Sequence, residues 1–387
     1  MKVFVHGIET AVPPYVYRQD YACDCMMRWL PGKRSRRLIR GIYDHSGIET
    51  RYSVLPDFAP GAEPVLFREN TDGVMVEPAT GARNDHYAAW ARKLPVEVCR
   101  KVLQRDDGFA PADVTHVITV SCTGFSNPGM DLHIVQGLGL PANVERYHLG
   151  FMGCYAAFPA LRMARQFCQA RPDAVVLVCC LELCTLHLQL REEPDSLLAN
   201  ALFADGAAAA VVSARAPAAG QPAFALHSFA SFLAPEGAGD MAWTIGDRGF
   251  NIRLSAYVPE IIAANIGAIT TGVFAASPWQ RDAIRLWAIH PGGRAILDKV
   301  EQGLDLAPEQ VADARAVLRE FGNMSSATIL FVLKRILEHS GGGVARPVCA
   351  LAFGPGLTIE SALLEHLPGV RAGTVRETPR HASRAHG

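Results

Sequence analysis

Two apolar runs of strand length, VTHVITVS at residues 114–121 and AVVLVCCL at 174–181, show no polar alternation. Such runs suit strands covered on both faces by other layers. Two helical stretches lie between them, 129–138 and 155–169. The second is apolar on most sides, with Arg162, Arg165, Gln166 and Gln169 as its strongly polar positions. Pro159, near its start, predicts a bend or a tightened first turn. Residues 1–6, 207–213, 223–232, 284–289 and 347–353 read as further strands, and 258–273, 293–302 and 325–339 as further helices. Strand and helix patterns alternate on both sides of ARAPAAGQP at 214–222, a surface connection. The alternation predicts α/β architecture, compatible with two similar halves over 1–214 and 222–370. Residues 55–84, rich in Pro, Gly and charge, read as an excursion or flap. Residues 371–387, with four arginines and no apolar pattern, read as a disordered tail.

Composition narrows the class. A chain of 387 residues, 49% hydrophobic and 19% charged, can bury one large core or two fused ones. A net charge of −1 gives no global attraction to nucleic acid or an anionic membrane. The longest apolar run stops at Glu182, too short to span a bilayer. No signal-peptide pattern precedes the first strand. Of the ten cysteines, Cys99, Cys168, Cys179, Cys180 and Cys349 lie in apolar runs and read as reduced core thiols of a cytoplasmic protein. Cys23 and Cys25, or Cys180 and Cys184, lack a second pair at zinc-ribbon spacing, so no metal site is expected.

Candidate chemistry lies in three segments. Cys154 sits in GFMGCYAA, a glycine-flanked turn entering a helical stretch, where unpaired N–H groups and the helix dipole favour thiolate. His290, in AIHPGG, ends a strand-like run, and Asn323, in GNMSSA, enters a helix. Each alone fits a structural role: packed thiol, satisfied core histidine, helix N-cap. Together they form the set a thiol-based acyl transfer needs.

These segments, with ALFADGAA at 201–208 and FGPGLT at 353–358, resemble the type III polyketide synthases, the chalcone synthase-like branch of the thiolase superfamily. The resemblance runs from about Val3 to about Leu367, with five motifs in the family's order. It implies a five-layered αβαβα fold built from two related halves, and a homodimer. It also implies iterative decarboxylative condensation of malonyl-CoA onto an acyl-CoA starter, both being substrates, with no cofactor. Cys154 would carry the acyl group as a thiolate paired with protonated His290, and His290 and Asn323 would hold the enolate and oxyanion.

Other positions follow from the same resemblance. Phe203 matches a phenylalanine gating the cavity mouth, with ordinary core packing as the equal alternative. Ile252 falls where the family has a second phenylalanine, Trp243 where plant enzymes have glycine, and His187 where they have a cavity threonine, three residues after Cys184. Cys122, Thr123 and Ser325 are further substrate-binding candidates. Asn127 matches a residue that crosses the dimer interface. Lys33, Arg34, Arg36, Arg37 and Arg40 place five basic residues in the family's CoA-binding region, but its basic positions fall at Gly41 and His45. Arg37, Arg40 and His45 are therefore the CoA candidates, against a solvated helix face. The altered cavity positions argue against flavonoid-type starters, and MAWTIGDRGFNI and LELCTLHLQ resemble bacterial members making alkylpyrones or alkylresorcinols from fatty acyl starters. A single-round ketoacyl synthase on acyl-ACP and a cysteine hydrolase are the alternatives.

Overall fold

The computed structural model describes residues 1–369 except 59, 106, 107, 276 and 340–342; the predicted tail lies outside the described residues. Nine strands form one mixed sheet in the spatial order Leu286–Ile289, Arg346–Gly354, Thr358–Leu367, Ala223–Leu233, Phe4–Ala11, Asp205–Ser213, Val175–Leu183, His116–Ser121, Glu145–Gly150. Direction and chain order repeat within it. Phe4–Ala11 runs antiparallel to Asp205–Ser213, which is antiparallel to Val175–Leu183, itself parallel to His116–Ser121. Ala223–Leu233, Thr358–Leu367, Arg346–Gly354 and Leu286–Ile289 repeat that scheme. The two sets join where Phe4 and Val5 pair with Ala225 and Phe224.

The apolar runs are strands because both their faces are covered. All nine residues of Val175–Leu183 are buried. Val176, Val178 and Cys180 face one core, whereas Val175, Leu177, Cys179 and Leu181 face the other. The small-residue strand alternates likewise: Ala208, Ala210 and Val212 against Ala207, Ala209 and Val211. The helices Ala157–Ala170 and Thr328–His339 fill the space between the two strand sets, while Leu94–Leu103 covers one outer face and Val258–Phe274 the other. Helix, sheet, helix, sheet, helix: five layers result.

Pro159 lies in the first turn of its helix, where its missing N–H leaves no bond unmade. The turn is tightened, Ala156 N–H reaching Gly153 O and Phe158 N–H reaching Tyr155 O; no bend is needed. The expected excursion at 55–84 is partly anchored: Phe58, Leu66 and Phe67 are buried, and Asp57 accepts the N–H groups of Val65, Leu66 and Phe67. The helix Thr80–Ala91 begins inside it. All ten cysteines are free thiols. No helix among the described residues is long and apolar enough to cross a membrane. Replacing Leu177, wholly buried between sheet and outer helix, by Ala is expected to cost about 2–5 kcal/mol, read as a lower urea midpoint. A midpoint within experimental scatter of the native one would contradict this account of the packing.

Candidate active site

The repeated topology delivers the site. Cys154 precedes the central helix of the first strand set, and Asn323 precedes that of the second. Cys122 follows the strand His116–Ser121, and His290 follows its counterpart Leu286–Ile289. Helix N-termini and parallel strand C-termini meet at the same end of such layers, so the four residues converge. They line one cavity, with Thr123, Cys184, Phe203, Trp243, Ile252 and Ser325 also on its wall. Met241, Leu254, Ile296, Phe353 and Pro355 make the rest of that wall largely apolar.

Backbone geometry sets each reactive group. Gly153 has φ of +94° and its missing Cβ would lie 2.2 Å from Pro355 Cδ, so only glycine brings the two loops together beside Cys154. Asn323 is fixed at both ends of its amide. Its Oδ1 accepts the Ser325 N–H at 2.9 Å, and its Nδ2 donates to Gly292 O at 3.2 Å. That leaves the second amide hydrogen for the cavity, where the Asn323 and Ser325 side chains favour the thiolate form of Cys154. His290 is held by its backbone N–H to Leu351 O at 2.8 Å. Its ring is 1% exposed, yet neither nitrogen has a hydrogen-bond partner among the described residues. A buried imidazole left unpaired is costly unless a ligand completes it.

The expected thiolate–imidazolium pair is not the resting state this geometry favours. Burial pushes the Cys154 thiol up to about 12, against the lowering effect of Ser325 and Asn323, and the nearby Glu182 charge adds to the rise. Burial alone lowers His290 to about 3. Desolvation penalises both charged forms, so thiol and neutral imidazole face the empty cavity.

Glu182, seen in sequence only as the end of an apolar run, lies beneath the nucleophile. Its carboxylate accepts from Cys122 N–H at 2.9 Å, Thr123 Oγ1 at 3.0 Å and the Ser326 hydroxyl. Burial raises it to about 7. A lone acid closing a wholly buried strand was the available signal.

A second, smaller cleft adjoins the first. Phe203, Cys184, Trp243 and Ile252 line both. Phe203, expected at the mouth between the CoA tunnel and the cavity, stands between these two cavities. Trp243 is pinned there by its Nε1–H donating to Cys122 O at 3.0 Å. His187 faces only the second cavity. Its Nε2 donates to Thr123 O at 2.7 Å, its Nδ1 accepts Phe250 N–H at 3.1 Å, and its ring stacks on Phe250 at 4.0 Å. Burial lowers it to about 3, so it is a neutral strut rather than a group aimed at the nucleophile. Asn127 is exposed on this single chain. Arg37 and Arg40 line an open groove with Asp24, Arg28 and Asp44, away from the catalytic cavity. His45 is exposed, with Nδ1 on Gly41 O at 2.8 Å.

Fold and site together define a thiol acyltransferase of the thiolase-like kind. Residues 2–216 match the family model for the N-terminal domain of chalcone and stilbene synthases, and 225–368 match that for the C-terminal domain. The chain belongs to that family and is a type III polyketide synthase. It is 31% identical to PKS-I of the brown alga Ectocarpus siliculosus, with a TM-score of 0.89 over 95% of this chain and 98% of that one. It is 27% identical to 1,3,6,8-tetrahydroxynaphthalene synthase of Streptomyces coelicolor A3(2), with a TM-score of 0.80 over 94% and 98%. A probable polyketide synthase 1 of Dictyostelium discoideum is 29% identical over 372 residues, 94% of this chain but only 11% of that relative's length.

Two outcomes test the site. Asn323→Ala removes a fixed donor and is expected to slow decarboxylation of malonyl-CoA by about 10²–10³-fold, measured as CO2 release; a loss confined to KM would place Asn323 elsewhere in the cycle. For a neutral resting thiol, the rate of Cys154 alkylation by iodoacetamide is expected to keep rising through about pH 7–9, as for an unactivated cysteine. A plateau already reached near about pH 6 would establish the ion pair instead.

Proposed function

We propose that this enzyme condenses malonyl-CoA repeatedly onto an acyl-CoA starter and cyclises the product. The observation that carries the proposal is the convergence of Cys154, unpaired buried His290 and the oriented Asn323 amide on one largely apolar cavity. Cys154 attacks the starter thioester, its proton passing through His290 to the departing CoA thiol, and holds the acyl group as a new thioester. Malonyl-CoA then loses CO2, and the enolate oxygen is held by N–H donors from His290 and Asn323. The enolate carbon attacks the acyl-Cys154 carbonyl, forming a carbon–carbon bond and expelling the Cys154 sulfur as a thiolate, which takes up a proton from water. The product is a CoA thioester two carbons longer, ready to reload. The reaction as written needs no cofactor beyond its two CoA substrates.

The finer assignment is a fatty acyl starter and an alkylpyrone or alkylresorcinol-type product, from the apolar lining and the bulky, non-plant residues Trp243, Ile252 and His187 on the cavity walls. We further read the chain as two related halves, 1–214 and 222–370, in a cytoplasmic homodimer, with Asn127 at the interface and Arg37, Arg40 or His45 taking CoA phosphates. The purified protein, given malonyl-CoA and acyl-CoAs of increasing length, is expected to yield alkylpyrones or alkylresorcinols by mass spectrometry. Cys154→Ala is expected to abolish them together with the covalent acyl adduct. Free fatty acid as sole product would convert the reading to a hydrolase, and a single-extension product to a one-round ketoacyl synthase.

A further inference from the structure

The hairpin that carries Trp243 and Ile252 into the catalytic cavity stands apart from the nine-stranded sheet. Its strands, Met241–Gly246 and Gly249–Leu254, pair only with each other. A two-stranded hairpin alone is marginally stable, so its place in the cavity wall is set by what grips it from outside. Side-chain bonds fix it away from the turn: Trp243 Nε1–H to Cys122 O at 3.0 Å, and Leu254 N–H to Asp195 at 3.3 Å. The turn itself is held by the first turn of the helix Thr80–Ala91, which gives no residue to the cavity wall.

Thr80 and Arg83, three positions apart, lie on one face of that helix. The Thr80 hydroxyl accepts Gly249 N–H at 2.8 Å and donates to Gly246 O, while the Thr80 N–H donates to Asp247 O at 2.9 Å. Arg83 packs against the same turn. A Cβ on Gly249, whose φ is +98°, would lie 3.0 Å from the Arg83 Cζ, so a side chain there would be both strained and crowded.

Arg83 is wholly buried, yet its Nη2 has no hydrogen-bond partner among the described residues. Burial lowers it to about 10 against the effect of Glu77, so it stays a cation at neutral pH. A buried charge left partly unpaired is destabilising, and a role for its planar fork explains its presence. Nε donates to Pro78 O at 2.9 Å, and Nη1 donates to Leu186 O and Leu188 O at 2.5 and 2.8 Å. Those last two carbonyls flank His187, whose Nδ1 accepts Phe250 N–H and whose ring stacks on Phe250. Phe250 in turn meets Trp243 edge-on at 5.9 Å. Arg83 therefore reaches the wall twice, through the turn and through the His187 strut. Burial keeps His187 neutral, as its acceptor role requires, and the Arg83 charge adds to that.

We propose that Thr80 and Arg83 are positioning residues that clamp this hairpin, fixing how far Trp243 projects into the chamber of Cys154 and so the bulk of the group admitted there. That the admitted group is an acyl starter rests on the acyl-transfer reading above; the clamp itself is independent of it.

The test measures access to Cys154 with two alkylating agents, iodoacetamide and the bulkier iodoacetanilide, scored by mass on the Cys154 peptide. Both attack the same sulfur, so the ratio of their rates cancels its reactivity and reports the width of the chamber. In Arg83→Lys, which keeps the charge but loses the fork, the iodoacetanilide rate is expected to rise about tenfold relative to the iodoacetamide rate. Thr80→Val, which removes the hydroxyl at the turn, is expected to move the ratio the same way by less. In a Trp243→Ala background neither change is expected to move it further, because the side chain they hold in place is gone. Melting curves set aside a variant that does not fold, and Thr80→Val decides alone if Arg83→Lys does not. A ratio unchanged in the folded variants, or an equal shift with and without Trp243, makes both residues general supports of the fold and overturns the clamp. Loading of Cys154 from acetyl-CoA and benzoyl-CoA tests the other reading. Wild-type enzyme that takes neither acyl group overturns acyl transfer, while the alkylation ratio still judges the clamp.

Discussion

Everything distinctive about this site follows from placing polar reactive groups where water is largely excluded. Two strand sets of the same topology point the N-termini of their central helices at one spot, and the walls around that spot are mostly hydrocarbon. Under those conditions an ionised thiol and a protonated imidazole both lose more hydration than their neighbours return. The fixed donors, Asn323 and Ser325, lower the thiol only part of the way, and the Glu182 carboxylate acts against them. Burial therefore favours the neutral thiol and the neutral imidazole.

Asn323 illustrates how little freedom the arrangement allows. Its backbone bridges to Phe203, its carbonyl accepts Ala204 N–H, and its own N–H goes to Leu202. The amide oxygen is committed to the start of the following helix, which makes the helix-cap role and the donor role two ends of one side chain. Phe203 is similarly shared: its carbonyl bonds Arg51, while its ring stands between two cavities.

Much of the scaffold was legible because its buried strands carry unbroken apolar runs, as at 114–121 and 174–181, each within two residues of the observed strand. Cys154, His290 and Asn323 were legible through local turn chemistry and family motifs. Other features were not. The helices Gln19–Trp29, Lys33–Asp44 and Thr80–Ala91 intersperse charge and polar residues among their apolar positions, and tertiary packing decides them. The effect of burial on the Cys154 and His290 pair was not legible, because desolvation depends on what surrounds a side chain in space, not on its sequence neighbours. The same holds for His187, whose bonds to Thr123 and Phe250 come from residues 64 and 63 positions away.

The departures from the plant-type pattern are not scattered. Trp243 and Ile252 are cross-strand partners on one hairpin, and His187 meets Trp243 edge-on at 5.8 Å. Phe250, on the same hairpin, stacks on His187 and packs against Trp243 at 5.9 Å. These residues share one wall, so a larger side chain at one position constrains the others through direct contact. A bulky indole at 243 narrows the catalytic cavity and, tied to the Cys122 carbonyl, also closes the floor toward the second cavity. This hairpin and the helix ending at Leu202 shape the wall, and none of Cys154, His290 and Asn323 lies on them. The shaped wall and the three converging polar groups are thus supplied by separate parts of the chain, and Phe203 adjoins both.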